Sequence, residues 1–163
     1  MPRKSNSSRK IYYPKKKWAP HFKIFSCTTA SIITSICDNT LSTASPTPNI
    51  IKVKHIKVDA DINVLSEPAQ GSQGFLFVIY LPEGMAPTTY NTLGSYVEQH
   101  PEYIMCWSAL RFAIGDGQVS TDDVHLVSRI SRNLNSGDKI AIALLSNVSL
   151  QVNGAVSFVT CAN

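Results

Sequence analysis

The sequence has few charged side chains and no long apolar run. Asp, Glu, Lys and Arg together make up 16% of the 163 residues, whereas about 25% is usual. This low value favours a surface that is partly covered by partner molecules. No stretch approaches ~18 consecutive apolar residues, so no membrane-spanning helix and no membrane partner are predicted. The four cysteines form no Cys-x-x-Cys pair, which argues against a zinc site, any other metal site and a disulfide framework.

Carboxylates are absent from the first 37 residues, where eight Lys and Arg side chains lie. The rest of the chain holds seven basic and all 11 acidic side chains. This asymmetry is typical of a polyanion-binding tail on an acidic body. Residues 1–21 also lack apolar periodicity, which predicts a disordered basic arm followed by one folded domain, residues 22–163. A plain solvated terminus is the alternative interpretation of the arm.

The arm supplies the candidate nucleic-acid-binding residues. Lys and Arg neutralise phosphates and release counterions, and aromatic rings stack on unpaired bases, so single-stranded nucleic acid is favoured over duplex. The alternative for the aromatic residues is packing against the folded domain. The predicted binding residues are Arg3, Lys4, Arg9, Lys10, Tyr12, Tyr13, Lys15, Lys16, Lys17, Trp18 and Lys23.

A short basic run inside the arm, Pro14-Lys15-Lys16-Lys17, also matches a nuclear import signal. Catalytic motifs are not visible in the sequence. The four histidines are scattered and stand in no nucleophile, metal or phosphate-loop pattern. The chain is therefore predicted not to be an enzyme and to need no cofactor.

The pattern after residue 22 predicts an all-β, antiparallel sandwich or barrel of about eight strands. A β-bulge is expected near His55, a short helix at Thr92–His100, and a hairpin turn at Asn153-Gly154. The predicted strands are Ile24–Ile36, Ile56–Val64, Phe75–Leu81, Ile104–Ile114, Val124–Ser131, Lys139–Leu145, Val148–Val152 and Ala155–Cys161.

Three stretches resemble the capsid proteins of circular single-stranded DNA viruses that encode a replication-initiator protein, the circovirus-like group. They are Lys52–Ile56, Phe77–Pro87 and Ser131–Ile140. The resemblance implies an eight-stranded antiparallel jelly-roll sandwich, of which about sixty copies close an icosahedral shell around the genome. It also implies a location in the virion and, during assembly, in the host nucleus. One departure is that the arm has only two arginines, where relatives carry long arginine-rich runs.

The partners expected from this interpretation are a single-stranded viral genome, with DNA favoured over RNA, other copies of the chain, and a host nuclear import receptor. Three other functions stay open. They are the coat of a satellite RNA virus, a non-assembling single-strand-binding module with a basic tail, and a cellular jelly roll of the lectin or cytokine type. The module would have to present base-stacking aromatic residues on its folded body. The cellular jelly roll would need secretion or a ligand site, and the sequence shows neither.

Overall fold

The computed structural model describes residues 18–39, 50–66, 68, 70–111 and 123–162. These residues are mostly β, and every strand pairing among them is antiparallel. In chain order the elements are β1 (Ala19–Thr28), β2 (Ile33–Asp38), β3 (Ile51–Val64), β4 (Gly74–Leu81), α1 (Tyr90–Gln99), a 3₁₀ turn (Pro101–Tyr103), β5 (Ile104–Leu110), β6 (Asp123–Ser128), β7 (Arg132–Leu134), β8 (Lys139–Ser146) and β9 (Leu150–Ala162).

The strands form two sheets that pack against each other. The first sheet has the order β1-β9-β3-β6, with β7 also paired to β3, and the second has the order β2-β8-β4-β5. One cluster of buried side chains joins them, with Phe25 and Val58 from the first sheet and Leu76 and Ile142 from the second. The core therefore lies between the sheets, and each sheet turns its other face outward.

The outer face of the second sheet is partly covered by α1. Leu76 of β4 faces the shared core, whereas Ile79 belongs to a second buried cluster that contains Leu93 of α1. This explains the unbroken apolar run in β4, and the prediction of a strand buried on both faces is confirmed. The predicted helix is confirmed too, although it begins earlier, because the Thr89 side chain caps it by accepting a hydrogen bond from the Thr92 amide.

The single strand predicted at Ile24–Ile36 is wrong, because the chain turns in the middle of that segment. β1 belongs to the first sheet and β2 to the second. Between them the backbone amides of Thr28 and Ser31 each donate to the other residue's carbonyl oxygen, at 3.2 and 3.0 Å. The Thr28 hydroxyl also accepts from the Ser31 amide at 3.0 Å. β-Branched residues favour extended backbone on both sides of such a turn and so do not mark its position.

The hairpin turn predicted at Asn153-Gly154 is also wrong, because β9 runs through this pair without interruption. Gly154 lies opposite Phe25 of β1 on one side and Ala60 of β3 on the other. A Cβ atom at this position would lie 2.3 Å from the Asp59 carbonyl oxygen. The glycine therefore permits a close approach between neighbouring strands inside a sheet.

The bulge predicted near His55 is confirmed. His55 has a φ of 54°, and the register of β3 against β9 shifts between Lys54 and Lys57. Lys54 is paired with Val159 and Lys57 with Ser157. Because those two β9 residues are two positions apart, they lie on the same face of the sheet. The bulge therefore places two lysines that are three residues apart on one face.

The remaining predicted strands agree with the described elements in position. β5 ends at Leu110, and residues 112–122 lie outside the described part of the chain. The predicted Val124–Ser131 strand corresponds to β6, which ends three residues earlier, at Ser128. β7 follows it as a short separate strand on the same side of β3. The described residues thus contain nine strands where about eight were expected. The division between arm and domain at residues 21 and 22 stays a prediction, with β1 beginning at Ala19.

Candidate nucleic-acid interface

Most of the predicted binding residues lie outside the described part of the chain. Trp18 and Lys23 are described. The others are Arg3, Lys4, Arg9, Lys10, Tyr12, Tyr13, Lys15, Lys16 and Lys17, together with Pro14 of the import motif. Their roles stay predictions that rest on their charge and aromatic character.

Trp18, immediately before β1, contacts the folded body. The Lys54 ammonium lies over its indole ring, with Nζ 3.8 Å from the ring centroid. Such a cation–π contact stabilises by about 0.5–1 kcal/mol at an exposed site. Trp18 thus contacts the body, and its predicted role in stacking on bases stays a prediction.

Lys23 lies further along β1, which is the edge strand of the first sheet. Its side chain is exposed, and its Cα is opposite that of Val156 in β9. It stands five residues after Trp18, a separation of roughly 16 Å along an extended chain. The structure therefore does not bring the two described candidate residues into one site.

The body contributes basic residues that the sequence reasoning did not select. Lys52, Lys54 and Lys57 all belong to β3, and the His55 bulge keeps Val53, Ile56 and Val58 buried in the core between them. Since the buried and basic positions alternate on either side of the bulge, the three lysines lie on the solvent side of the sheet. A usable signal was present in the sequence, where lysines alternate with apolar residues on both sides of His55.

This outer face changes sign along β3. The lysine half lies beside Trp18, where the arm is attached. The other half carries Asp59 and Asp61, and Asp59 contacts the ring of His125 on β6. Asp123 of β6 lies directly opposite Asp61. Carboxylates repel phosphates, so a nucleic-acid contact on this sheet is expected only at the lysine half.

The acidic half is a shallow trough of about 520 Å³ that is open to solvent. Phe22 and Ile24 of the edge strand form one wall, and their side chains are 68% and 82% exposed. Ala155 of β9 lies at its floor, between Ile24 and Asp59. The trough thus combines an exposed apolar wall with carboxylates.

Three of the thiols are wholly or partly buried, and this burial changes their pKa values. Burial raises the pKa of Cys27, and it raises the pKa of Cys37 and Cys106 to about 11 each. A thiol with such a pKa stays protonated near neutral pH, and the thiolate is the reactive and metal-binding form. Among the residues that the structure describes, no group of three or more His, Cys, Asp or Glu side chains gathers at metal-binding distance.

No protein-family model matches the chain, and no curated protein matches it. Among solved structures, the chain is similar to a chain of maize chlorotic mottle virus, whose three-dimensional structure was determined by single-particle analysis. The two are 12% identical with a TM-score of 0.27, over 86% of this chain and 92% of that chain. A similarity of this size does not establish a shared function. Within the described ranges, no helix has the length and apolar character needed to cross a membrane.

Proposed function

We propose that this chain is a viral coat protein that assembles with copies of itself into a small icosahedral shell and packages single-stranded nucleic acid. In this proposal residues 1–21 are the nucleic-acid-binding arm and residues 22–163 form the shell domain. The proposal rests mainly on one observation: a basic segment leads directly into an edge strand that exposes large apolar side chains. The role is structural and not catalytic.

The exposed edge supports self-association. Phe22 and Ile24 are two positions apart on β1 and therefore lie on the same face of the strand. Their side chains are 68% and 82% exposed. Single exposed apolar residues are common on monomers, but two large ones on the edge strand of a sheet form a contact surface. Trp107 of β5, at the edge of the second sheet, is 56% exposed and offers a second such position. Both sheets therefore have an apolar edge for contact with another copy.

The strand order supports the finer fold assignment of an eight-stranded antiparallel jelly roll. β6 and β7 both pair with β3 and lie next to one another in the chain, so we interpret them as two parts of one strand. The result is two facing sheets of four strands. The chain crosses between the sheets after β1, β2, β3, β5, β7 and β8, as expected of interlocked Greek keys. This double-sheet arrangement is common in viral shells, although it also occurs in lectins and cupins.

The charge distribution supports nucleic acid as the packaged partner. Eight basic side chains and no carboxylate lie within residues 1–37, and Lys52, Lys54 and Lys57 lie on the body beside the arm's attachment. Phosphate neutralisation of this kind gives affinity that falls steeply with salt. Single-stranded DNA is favoured over RNA by the resemblance of the three sequence stretches to capsid proteins of circular single-stranded DNA viruses.

The proposal is tested by expressing the full chain and examining the product by size-exclusion chromatography and electron microscopy. We expect uniform particles or defined pentamers that contain nucleic acid. A product that stays monomeric at every salt concentration and pH tried would contradict the assembly half of the proposal. Digestion of the packaged nucleic acid with DNase and with RNase then separates a DNA virus coat from the coat of a satellite RNA virus.

A non-assembling single-strand-binding module is the second candidate, favoured by one feature of the second sheet. Phe75, Phe77 and Trp107 form an aromatic cluster with ring centroids 6.1–6.4 Å apart, and the exposed indole could stack on a base. Deleting residues 2–17 removes seven basic side chains. If the arm is the binding element, the deletion abolishes oligonucleotide binding. If the aromatic cluster is the binding element, the shortened protein still binds the oligonucleotide, and Trp107→Ala removes that binding.

The arm also carries the proposed signal for entry into the host nucleus, Pro14-Lys15-Lys16-Lys17. A host nuclear import receptor would bind it before assembly, and the mature location would be the virion. A fluorescent fusion of the full chain is expected to accumulate in nuclei. Replacement of the three lysines by alanine is expected to abolish this nuclear accumulation. Equal nuclear accumulation of both fusions would contradict the assignment.

A further inference from the structure

A second basic feature lies apart from the arm, where β7 meets the 3₁₀ turn. It is a cavity of about 440 Å³ lined by Lys52, Tyr80, Tyr103, Ser131, Arg132 and Asn133. The described lining therefore holds two cations, several hydroxyl or amide donors and no carboxylate. This size falls within the ~300–1,000 Å³ range of small-ligand pockets.

Arg132 is held in place by groups that do not neutralise it. Its guanidinium carbon lies 5.5 Å from the ring centroid of Tyr80 and 6.0 Å from that of Tyr103. One terminal nitrogen donates to the Glu102 carbonyl oxygen. Within the described ranges, the ion pairs involve His100 and His125, and neither includes Arg132. The guanidinium is thus oriented by aromatic rings and a neutral acceptor, and its full charge is retained.

The guanidinium also has an unused donor. In the described part of the chain, Arg132 Nε is buried and has no hydrogen-bond partner. A buried N–H without an acceptor is unfavourable, so a ligand that supplied an acceptor to this nitrogen would remove that cost. The nearby carboxylate of Asp138 is not that acceptor, because it is hydrogen-bonded to Tyr80, Asn135 and Glu83.

Lys52 supplies the second charge at a fixed position. Its Cα lies opposite that of Asn133, and the neighbouring Val53 lies opposite Arg132. The pairing of β3 with β7 therefore places Lys52 and Arg132 on neighbouring strands, and both line the cavity. Besides Tyr80, whose hydroxyl donates to Asp138, five donor side chains line the cavity. Donors around one cavity suit a tetrahedral oxyanion, which accepts hydrogen bonds in several directions.

We propose that this cavity is a phosphate-binding site in which Arg132 and Lys52 hold the anion. The phosphate could belong to the backbone of a nucleic acid or be free inorganic phosphate, since the chemistry recognised is the same. The site lies on the folded body and uses none of the residues of the arm. It shares Lys52 with the basic face of β3, whereas Arg132 is not part of that face.

The test is equilibrium dialysis of the full-length protein against radiolabelled inorganic phosphate at fixed ionic strength. Lys52→Gln is expected to weaken binding about fivefold, and Arg132→Lys, which keeps the charge but loses the planar fork, about as much. Lys57→Gln is the matched control, since it removes the same charge from the same strand outside the cavity. We expect it to change the affinity by less than about twofold.

The outcomes separate the possible explanations. Thermal unfolding of each variant shows whether it is folded. If Arg132→Lys does not fold, Lys52→Gln alone reports on phosphate binding. If Lys52→Gln and Lys57→Gln weaken binding equally, or neither does, phosphate binds through general charge and the proposal is wrong. Competition by the dinucleoside monophosphate TpT assigns the site to a nucleic-acid backbone, and its failure to compete assigns the site to free phosphate. Retention of particle formation in a variant without the phosphate site leaves the assembly half of the coat proposal intact.

Discussion

Asp138 organises the turn between β7 and β8 through its buried carboxylate. The carboxylate accepts from the Tyr80 hydroxyl at 2.7 Å, from the Asn135 amide at 2.8 Å and from the Glu83 amide at 3.2 Å. Asp138 thus connects its own turn to the end of β4 by hydrogen bonds. Gly137 lies in the same turn with a φ of 85°, a backbone conformation that residues with a side chain rarely adopt.

Replacing this carboxylate should be costly. Asp138→Ala leaves the Tyr80 hydroxyl and two backbone amides without their acceptor, so we expect a loss of about 2–4 kcal/mol in the free energy of unfolding. Urea denaturation of the dissociated subunit measures this loss. Asp61→Ala, which removes an exposed carboxylate on β3, should change the free energy by no more than about 0.5 kcal/mol. Equal effects of the two substitutions would contradict the anchoring role of Asp138.

The Tyr80 hydroxyl gives the same turn a pH dependence. Burial, together with the weaker effect of the hydrogen bond to Asp138, raises the pKa of Tyr80 to about 12. A folded-state pKa above the unfolded value means that the neutral phenol stabilises the fold below pH ~10 and that this contribution is lost as the pH rises toward 12. We therefore expect the unfolding free energy to fall across that range, and to fall less steeply in Tyr80→Phe. Identical alkaline slopes for the two proteins would contradict this.

β9 shows how far local sequence signals determine an element. Its inward positions Leu150, Val152, Val156 and Phe158 are all buried and keep one unbroken period of two across Gly154. That period predicts a single strand, whereas the Asn-Gly pair predicts a turn, and the turn interpretation was wrong. The glycine is required by the approach of a neighbouring strand, a contact between residues about ninety positions apart that local patterns do not contain.

Two glycines provide a matched test of this explanation. Gly154→Ala places a methyl group against the Asp59 backbone, and we expect it to destabilise the subunit by about 2–3 kcal/mol. Gly94 lies in α1 with no atom within 4 Å of its would-be Cβ. Gly94→Ala should therefore stabilise the protein, by about 0.5–1 kcal/mol, through helix propensity. Thermal or urea unfolding measures both, and a tolerated alanine at position 154 would contradict the close approach.

Prediction from sequence succeeded where one local pattern decides the structure. The alternation after Ile56, the apolar run of β4 and the bulge at His55 each have such a pattern. It failed for the break between β1 and β2, because β-branched residues suit the strands of both sheets equally. The candidate site was predicted from charge and from the aromatic residues between the charges. This selected residues near the amino terminus but left out Lys52, Lys54 and Lys57. Their common face depends on a register shift against β9, and that shift appears only in the folded sheet.

At the scale of the whole molecule, each sheet has one face on the core and an exposed apolar edge. Phe22 and Ile24 lie on the outer side of the first sheet, next to the acidic residues of the trough. An assembled shell would cover such a surface, whereas a permanent monomer would leave it in water. The proposed assembly therefore predicts that these two side chains contribute little to the fold of one subunit and much to its contacts.

The double substitution Phe22→Ser and Ile24→Ser separates these two contributions. Because both side chains are already in solvent, we expect the unfolding free energy of the subunit to change by less than about 1 kcal/mol. Particle formation should be lost, as judged by size-exclusion chromatography. Leu65→Ser is the control, since Leu65 is another exposed apolar residue, located after β3. Normal assembly of the double variant would show that the β1 edge is not a contact between copies.

Because of the bulge in β3, this part of the sheet depends more on the number of residues in the strand than on their identity. His55 is the extra residue that lets Lys54 and Lys57 share a face while Val53 and Ile56 share the opposite one. Deleting one residue here would move the side chains of one half of the strand to the opposite face of the sheet, relative to those of the other half. Either the lysines would enter the core or the buried valine and isoleucine would leave it. Point changes at His55 should thus be tolerated far better than any insertion or deletion between residues 54 and 57.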